Sequence, residues 1–214
     1  AAAPGTVMID SSTIDVGSAQ AVHEAAKSAG FNMIDAPVSG GVIGADAGTL
    51  TFMCGGDKES FEKAKPILQG MGKNIVHCGS GGLGQATKIC NNMLAGINAL
   101  AAAEAMTMGE RLGVSPDTLY EVISTSTGRS YIFETSNPMP DVCSTSPANN
   151  KFKPGFMAKL MLKDLRLSQA AAQDAKTSTP LGAAATAAFQ QLIDSGFGDL
   201  DTSSIIKVIK PEPK

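Results

Sequence analysis

The chain has 214 residues, 43% of them hydrophobic, which is enough for one large domain or two small ones with a buried core. Its net charge of −3 comes from interspersed acidic and basic residues, so neither nucleic acid nor a membrane surface is expected as a partner, and a small-molecule ligand is favoured. The four cysteines form no Cys-x-x-Cys pair, which argues for reduced thiols and against a metal site. Two of them, Cys54 and Cys90, lie in apolar runs, where a thiol packs as a small hydrophobe.

The first eighty residues alternate between strand and helix patterns. Short runs rich in β-branched and apolar residues predict strands, and these lie at 6–12, 32–38, 50–56 and 74–79. Helical patterns lie between them at 18–30 and 58–72, the second with a kink expected at Pro66. Such alternation predicts an α/β sheet layered with helices. Only about four strands fit, and no Gly-x-Gly-x-x-Gly turn follows the first, so the segment has the pattern of the C-terminal part of a Rossmann-type sheet.

From Gly84 onward the pattern is helical only. The first helix extends over nearly thirty residues to the neighbourhood of Gly113, which is roughly 40 Å at ~1.5 Å per residue. Its residues are small or apolar on almost every face as far as Ala103, so we expect a long central helix packed on all sides. Asn98 and Glu104 interrupt its apolar run, which argues against a membrane span.

Shorter helical patterns follow the long helix. They lie at 116–126, 156–175, 181–195 and 202–209, with a proline- and asparagine-rich loop at 136–155. The predicted fold class is therefore α/β followed by all-α. We expect two domains, the remaining part of a Rossmann-type domain at 1–81 and an all-helical domain at 82–214, whose long apolar helix favours self-association.

The segment GLGQATKICNN (82–92) carries the strongest chemical signal. Lys88 and Asn92 are four residues apart, so they project from one face of the long helix near its N-terminus, among small residues. Such a lysine either extends outward to solvent or faces a cavity, and the spacing alone does not choose between the two. In a cavity, desolvation and the helix dipole would lower its pKa toward the range useful for proton transfer.

Two other motifs are weaker. In DAPVSGG (35–41) a predicted strand ends in Ser39, Gly40 and Gly41, and glycines there let backbone N–H groups turn toward an anion such as a carboxylate; an ordinary strand-to-loop turn is the simpler interpretation. In FMAKLMLKDLRLSQ the lysines have the pattern of a solvated helix face. The two histidines, His23 and His77, have patterns typical of structural roles.

Four motifs in this order resemble those of the β-hydroxyacid dehydrogenase family over nearly the whole chain: DSSTI (10–14), DAPVSGG (35–41), GLGQATKICNN (82–92) and GFMAKLMLKDLRLSQ (155–169). The resemblance implies that Lys88 is the catalytic acid and base and that Asn92 binds the substrate. It implies that Ser39, Gly40 and Gly41 hold the substrate carboxylate. It also implies a bound NAD cofactor, with contacts from Thr13, Phe156 and Lys163.

The resemblance also implies an activity. Within the family, KICNNM and the NPMP and PANN stretches are most similar to enzymes that oxidise 3-hydroxyisobutyrate to methylmalonate semialdehyde with NAD, a step of valine catabolism. Glyoxylate, succinic semialdehyde and tartronate semialdehyde reductases share the same motifs and remain alternatives, as does a non-catalytic oligomerisation or binding module. A phosphogluconate dehydrogenase is disfavoured because Asn91 stands where that relative has a histidine. The resemblance further implies a homo-oligomer, dimer or tetramer, located in the mitochondrial matrix of a eukaryote or otherwise in the cytoplasm.

Two departures from the family pattern matter. No dinucleotide fingerprint follows the first strand, so we expect the N-terminal half of the cofactor domain to be lacking and these 214 residues alone to bind NAD⁺ negligibly and to be inactive. Val16 stands where related enzymes often have proline. The preference for NAD or NADP does not follow from the sequence.

Overall fold

The computed structural model describes residues 2–3 and 5–210. They form two compact units, one from the residues up to Asn91 and the other from Asn92 onward. Within these described ranges, no helix is both long and apolar enough to cross a membrane.

The first unit is a sheet with helices, and its elements follow the predicted alternation. In chain order they are β1 (Val7–Asp10), α1 (Val16–Ser28), β2 (Asn32–Asp35), β3 (Val38–Ser39), α2 (Gly41–Asp46), β4 (Leu50–Gly55), α3 (Lys58–Gln69), β5 (Gly72–Gly79) and the start of α4 (Leu83–Arg111). The second of the predicted helices is α3, and it continues past Pro66. Buried side chains of the sheet and of α3 form the core, among them Ile34, Phe52, Phe61 and Leu68.

The sheet is mixed rather than parallel throughout. Strand β1 pairs with β2 in parallel, and β4 pairs with β5 in parallel. Strands β2 and β3 both pair with β4 in antiparallel fashion, β2 only through Asp35 opposite Gly55. The α/β prediction is confirmed, but the strand count was wrong: the described residues form five strands. The run predicted at 32–38 is divided at Ala36 and Pro37, because proline has no N–H to donate to a ladder.

Helix α2 was not predicted. Its six residues, GVIGAD, include two glycines, which have low helix propensity, so the local sequence gives no helical signal. The helix begins where Gly40 and Gly41 reverse the chain after β3. Tertiary context therefore determines this short element.

The second unit is helical, as predicted. After the remainder of α4 come α5 (Pro116–Ser124), α6 (Tyr131–Thr135), a 3-10 turn (Pro147–Asn150), α7 (Ala158–Asp174), α8 (Pro180–Asp194), a second 3-10 turn (Thr202–Ile205) and α9 (Ile206–Ile209). The short helix α6 and the first 3-10 turn were missed because each is about one turn long. The core of this unit joins α4, α6, α7 and α8 through residues such as Met106, Phe133, Leu165 and Phe189.

Helix α4 has 29 residues, in agreement with the predicted length. Ala103 and Met106 lie in the core of the second unit, whereas Leu94, Met108 and Leu112 are 58%, 62% and 75% exposed. The expectation that this helix is packed on all sides was therefore wrong, and Cys90, expected to pack in an apolar environment, is exposed. An alanine-rich helix shows little contrast between its faces, so its pattern does not reveal which face is buried.

Candidate active site

The carboxylate of Asp35 closes the N-terminus of α4. Asp35 ends β2 and is 1% exposed. Its Oδ1 accepts a hydrogen bond from Gly82 N at 2.8 Å, and its Oδ2 accepts one from Gln85 N at 2.9 Å. His23 Nε2 lies 2.8 Å from Oδ1. A negative group at this position satisfies N–H groups that lack helical partners and interacts favourably with the helix dipole.

The glycines around this carboxylate have a spacing that the sequence reasoning overlooked. Gly79, Gly81 and Gly84 form a Gly-x-Gly-x-x-Gly that follows β5 and opens α4, the arrangement of a dinucleotide site. A Cβ on Gly84 would lie 2.7 Å from Asp35 Oδ2, and one on Gly55 would lie 2.4 Å from Oδ1. Gly84 and Gly55 thus make room for the Asp35 carboxylate, whereas a Cβ on Gly81 would meet the His23 ring and one on Gly79 would meet Leu83. Because that carboxylate takes up the helix N-terminus, this turn does not fit a pyrophosphate.

Lys88 lies one turn further along α4 and is buried. It is 8% exposed, and its Nζ donates a hydrogen bond to Val38 O at 2.6 Å. Of the two arrangements open from the sequence, outward extension to solvent does not occur. Val38 immediately precedes Ser39, so the ammonium group is held at the end of the same strand segment that leads into the Ser-Gly-Gly turn.

The Ser39–Gly41 turn requires its glycines. Gly40 has φ +133° and Gly41 has φ +60°, conformations that residues with a Cβ rarely adopt. A Cβ on Gly40 would also lie 3.0 Å from Leu50 Cδ2. Ser39 is partly buried and pairs with Thr51 of β4. The turn therefore has the backbone that the sequence motif suggested, and its affinity for a carboxylate stays a prediction.

Thr13 lies on the loop between β1 and α1. It is partly buried, and the residues on either side of it are hydrogen-bonded to the side chain of Gln85, in the first turn of α4. The sequence reasoning assigned no role to Gln85 or to the carboxylate of Asp35. Their sequence context could have indicated a role, because both lie within runs of small and apolar residues, where a polar side chain needs a specific partner.

Asn92 and Lys163 are connected in the second unit by Asp164. Asn92 is 5% exposed, and its Nδ2 donates to Asp164 Oδ2 at 2.5 Å. Lys163 Nζ lies 3.1 Å from Asp164 Oδ1, and the lysine side chain is 46% exposed. Asp164 is itself buried, and Lys163 and Asn92 face its two carboxylate oxygens. The sequence placed Asp164 beside Lys163 but did not predict this contact with Asn92.

Phe156 precedes α7, and its main chain is fixed by a buried carboxylate. Asp201 Oδ2 accepts hydrogen bonds from Gly155 N and Phe156 N at 3.0 and 3.1 Å. The carbonyl oxygen of Phe156 accepts from both N and Oγ1 of Thr202, each at 2.9 Å. The ring packs at the margin of the helical core and is partly exposed. The main chain at Phe156 is thus held by buried side chains, and its contact with a nicotinamide stays a prediction.

The two histidines make structural contacts. His77 stacks on Phe61 with ring centroids 4.7 Å apart, and its Nε2 lies 2.8 Å from Gly56 O. His23 faces the buried Asp35, as described above. Neither contact involves Lys88 or the Ser-Gly-Gly turn.

Two family profiles together match nearly the whole chain. Residues 82–209 match the family described as the NAD-binding domain of NADP-dependent 3-hydroxyisobutyrate dehydrogenase. Residues 1–79 match the NAD binding domain of 6-phosphogluconate dehydrogenase.

Individual relatives are similar over the same extent. The chain is 45% identical over 209 residues to an NAD-dependent L-serine dehydrogenase of Pseudomonas aeruginosa, covering 98% of this chain and 70% of that protein. It is 46% identical over 206 residues to a 3-hydroxyisobutyrate dehydrogenase of the same organism, covering 95% and 69%. The solved structure of a Mycobacterium tuberculosis 3-hydroxyisobutyrate dehydrogenase with L-serine superposes with a TM-score of 0.93 at 45% identity, covering 98% and 72%.

Proposed function

Because this chain belongs to the β-hydroxyacid dehydrogenase family and is 3-hydroxyisobutyrate dehydrogenase-like, an NAD(P)-dependent oxidoreductase, we propose that it oxidises 3-hydroxyisobutyrate to methylmalonate semialdehyde, a step of valine catabolism. Lys88 is the general acid and base of this proposal. The observation that carries the assignment is the buried ammonium group of Lys88, held 2.6 Å from Val38 O beside the Ser-Gly-Gly turn.

In this proposal Lys88 accepts and donates the proton of the substrate hydroxyl. NAD⁺, when bound, accepts a hydride from the carbon that carries this hydroxyl. Neutral Lys88 takes up the hydroxyl proton during oxidation, and its ammonium form returns that proton in the reverse direction. The hydrogen bond to Val38 limits the positions of Nζ, which favours proton transfer in a fixed geometry.

The remaining site residues position the reactants. Ser39, Gly40 and Gly41 hold the substrate carboxylate. Asn92 orients the hydroxyl, and the contact with Asp164 fixes the plane of its amide. The nicotinamide end of NAD is contacted by Thr13, Phe156 and Lys163.

A second candidate substrate is L-serine. One relative at 45% identity is named an L-serine dehydrogenase, and the similar Mycobacterium tuberculosis enzyme was solved with L-serine. L-serine and 3-hydroxyisobutyrate share a carboxylate and a hydroxyl on carbon 3, so the same residues would serve both. They differ at carbon 2, which carries an ammonium group in one and a methyl group in the other.

A substrate panel tests the proposal. We would measure kcat/KM of the protein with NAD⁺ and with NADP⁺ for oxidation of 3-hydroxyisobutyrate, L-serine, glycolate, 4-hydroxybutyrate and glycerate, the last three being the alcohols that correspond to glyoxylate, succinic semialdehyde and tartronate semialdehyde. The highest value for 3-hydroxyisobutyrate supports the proposal, and a higher value for any other compound replaces it. Turnover of none of them would favour a non-catalytic binding module.

We also propose that the chain forms a homo-oligomer, dimer or tetramer, through the exposed face of α4. Leu94, Ala101 and Met108 recur every seven residues on this face, and Ala105 repeats the spacing with Leu112, the residue that follows the helix. A seven-residue apolar repeat suits the packing of one helix against a second copy of itself. A groove of about 540 Å³ lies along this face, lined by Ala101, Glu104, Ala105, Met108, Leu112 and Ile209.

Cofactor binding by these 214 residues alone is a separate question. The expectation that they bind NAD⁺ negligibly stays a prediction, as does the domain boundary at residues 81 and 82. In support of the first, the Asp35 carboxylate accepts hydrogen bonds from Gly82 N and Gln85 N at the single Gly-x-Gly-x-x-Gly of the sequence, and its charge would repel a pyrophosphate. Calorimetric titration with NAD⁺ tests it, and saturable binding at micromolar concentration would contradict it.

A further inference from the structure

The side-chain amide of Gln85 holds the loop that carries Thr13. Gln85 is fully buried, with 0% of its surface exposed. Its Nε2 donates to Ser12 O at 2.8 Å, and its Oε1 accepts from Ile14 N at 3.1 Å. The two hydrogen bonds therefore flank Thr13 on both sides. Both polar groups of one planar amide, the NH2 and the oxygen, bind the loop, so the loop backbone is fixed in position and in orientation.

Gln85 is itself fixed at its main chain. Its N–H donates to Asp35 Oδ2 at 2.9 Å, in the capped first turn of α4. Lys88 follows three residues later, on the same side of this helix. The side chain of Gln85 thus connects the Thr13 loop directly to the helix turn that precedes Lys88.

We propose that Gln85 is a positioning residue that sets the Thr13 loop, and with it the nicotinamide, relative to Lys88. The proposal rests on the function proposed above, because Thr13 is assigned to the nicotinamide there. Hydride and proton leave the same C–O–H unit of the substrate, so the hydride acceptor and the proton acceptor must be held in one geometry. A displacement of about 1 Å at such a site can lower the rate by ~10²-fold.

Only an amide of this length meets the geometry. In Gln85→Glu the carboxylate lacks a donor and would face the carbonyl oxygen of Ser12. Gln85→Met keeps the shape of the side chain and removes both hydrogen bonds. The two groups left without partners, Ser12 O and Ile14 N, would then turn toward water or other partners, and the loop would move with them.

The matched control is Asn137→Leu in the second unit. Asn137 is also 0% exposed and also bonds on both sides of its amide, donating to Phe133 O and accepting from Met139 N. Its replacement therefore removes a buried amide of the same kind without touching the Thr13 loop. The fold of each variant is checked by thermal unfolding, and kinetics are compared at a temperature at which all are folded.

The test combines kinetics of the full-length protein with amide hydrogen exchange. We expect Gln85→Met and Gln85→Glu to lower kcat by ~10²-fold while the KM for the hydroxyacid stays within about threefold. Gln85→Met, which also removes the acceptor for Ile14 N, should accelerate exchange at Ile14. Asn137→Leu should do neither. Unchanged exchange at Ile14 in Gln85→Met would show that Gln85 does not hold the loop. Faster exchange with unchanged kcat would show that Gln85 holds the loop but does not position the nicotinamide. Exchange needs no substrate, so a wild-type protein inactive on the whole panel would refute the proposed function while exchange at Ile14 still decides whether Gln85 fixes the loop.

Discussion

The ammonium nitrogen of Lys88 lies 2.6 Å from the carbonyl oxygen of Val38, although fifty residues separate them in the chain. This contact joins the helix that carries the proposed acid–base group to the strand end that leads into the proposed carboxylate turn. At 8% exposure the charged group has lost most of its hydration, and the hydrogen bond to Val38 O offsets part of that cost.

The first prediction concerns this lysine. Lys88→Met in the full-length enzyme should lower kcat by ~10²-fold or more, within the range that general acid–base residues contribute, because methionine retains the apolar stem and removes the proton acceptor. Steady-state kinetics with 3-hydroxyisobutyrate and NAD⁺ measure the effect. The control is Lys63→Met, since Lys63 is an exposed lysine of α3 paired with Glu59. A kcat near that of the wild type in Lys88→Met would rule out the assignment.

The sequence was sufficient for the features that repeat locally. Alternating patterns located the strands and most helices to within a few residues, and the spacing of Lys88 and Asn92 placed them on one face of α4. It was insufficient for contacts between distant segments. Nothing local to Asp35 indicates that its carboxylate would cap a helix that begins forty-eight residues later, at Leu83, and nothing local to Gln85 indicates its partners at residues 12 and 14.

The prediction that α4 is packed on all sides was wrong for a different reason. Leu94, Met108 and Leu112 are apolar, so a pattern based on hydrophobicity predicts burial, and in this chain they are exposed. The central part of an interface between two copies of a chain is also enriched in apolar residues. Pattern alone therefore cannot distinguish a residue buried within the chain from one buried on association.

The second prediction follows from the exposed face of α4. Met108→Lys combined with Leu112→Lys should weaken self-association, because two charges would have to be buried in an apolar contact. Light scattering after gel filtration should show a shift toward the monomer. Leu181→Lys is the matched control, since Leu181 is 66% exposed on α8, in the same unit, and does not line the groove along α4. Equal oligomer mass in the wild type and the double variant would place the interface elsewhere.

The third prediction concerns thiol reactivity. Burial raises the pKa of the Cys54 thiol to about 12, and the nearby Cys78 and Asp35 add to the effect. The thiol therefore stays protonated up to about pH 10 or above, and the reactive thiolate is scarce at pH 8. We expect Cys54→Ser to leave the number of thiols that react with a chromogenic disulfide in the native protein unchanged, and to remove one from the count in denaturant. One fewer reactive thiol in native Cys54→Ser would contradict this.

The last prediction tests whether Gly84, at the start of α4, is needed to make room for the Asp35 carboxylate. Gly84 and Gly17 are each the second residue of a helix, α4 and α1 respectively. A Cβ on Gly84 would lie 2.3 Å from Met53 O and 2.7 Å from Asp35 Oδ2, whereas one on Gly17 would meet only Asp15 Oδ1, at 3.4 Å. The Met53 oxygen belongs to the sheet backbone and cannot move away without disturbing β4, so the strain is not relieved by a rotation of side chains.

Gly84→Ala should therefore lower the free energy of unfolding by about 1–3 kcal/mol or more, as overpacking of a dense site does. Gly17→Ala should be neutral or stabilising by about 0.5–1 kcal/mol, because alanine restricts the unfolded chain and favours the helix. Urea unfolding followed by circular dichroism measures both. Because Gly84 lies in the same turn as Gln85 and precedes Lys88 by one turn, folded Gly84→Ala should also lose activity. Equal stability of the two variants would show that the space around Gly84 is larger than the distances to Asp35 and Met53 indicate.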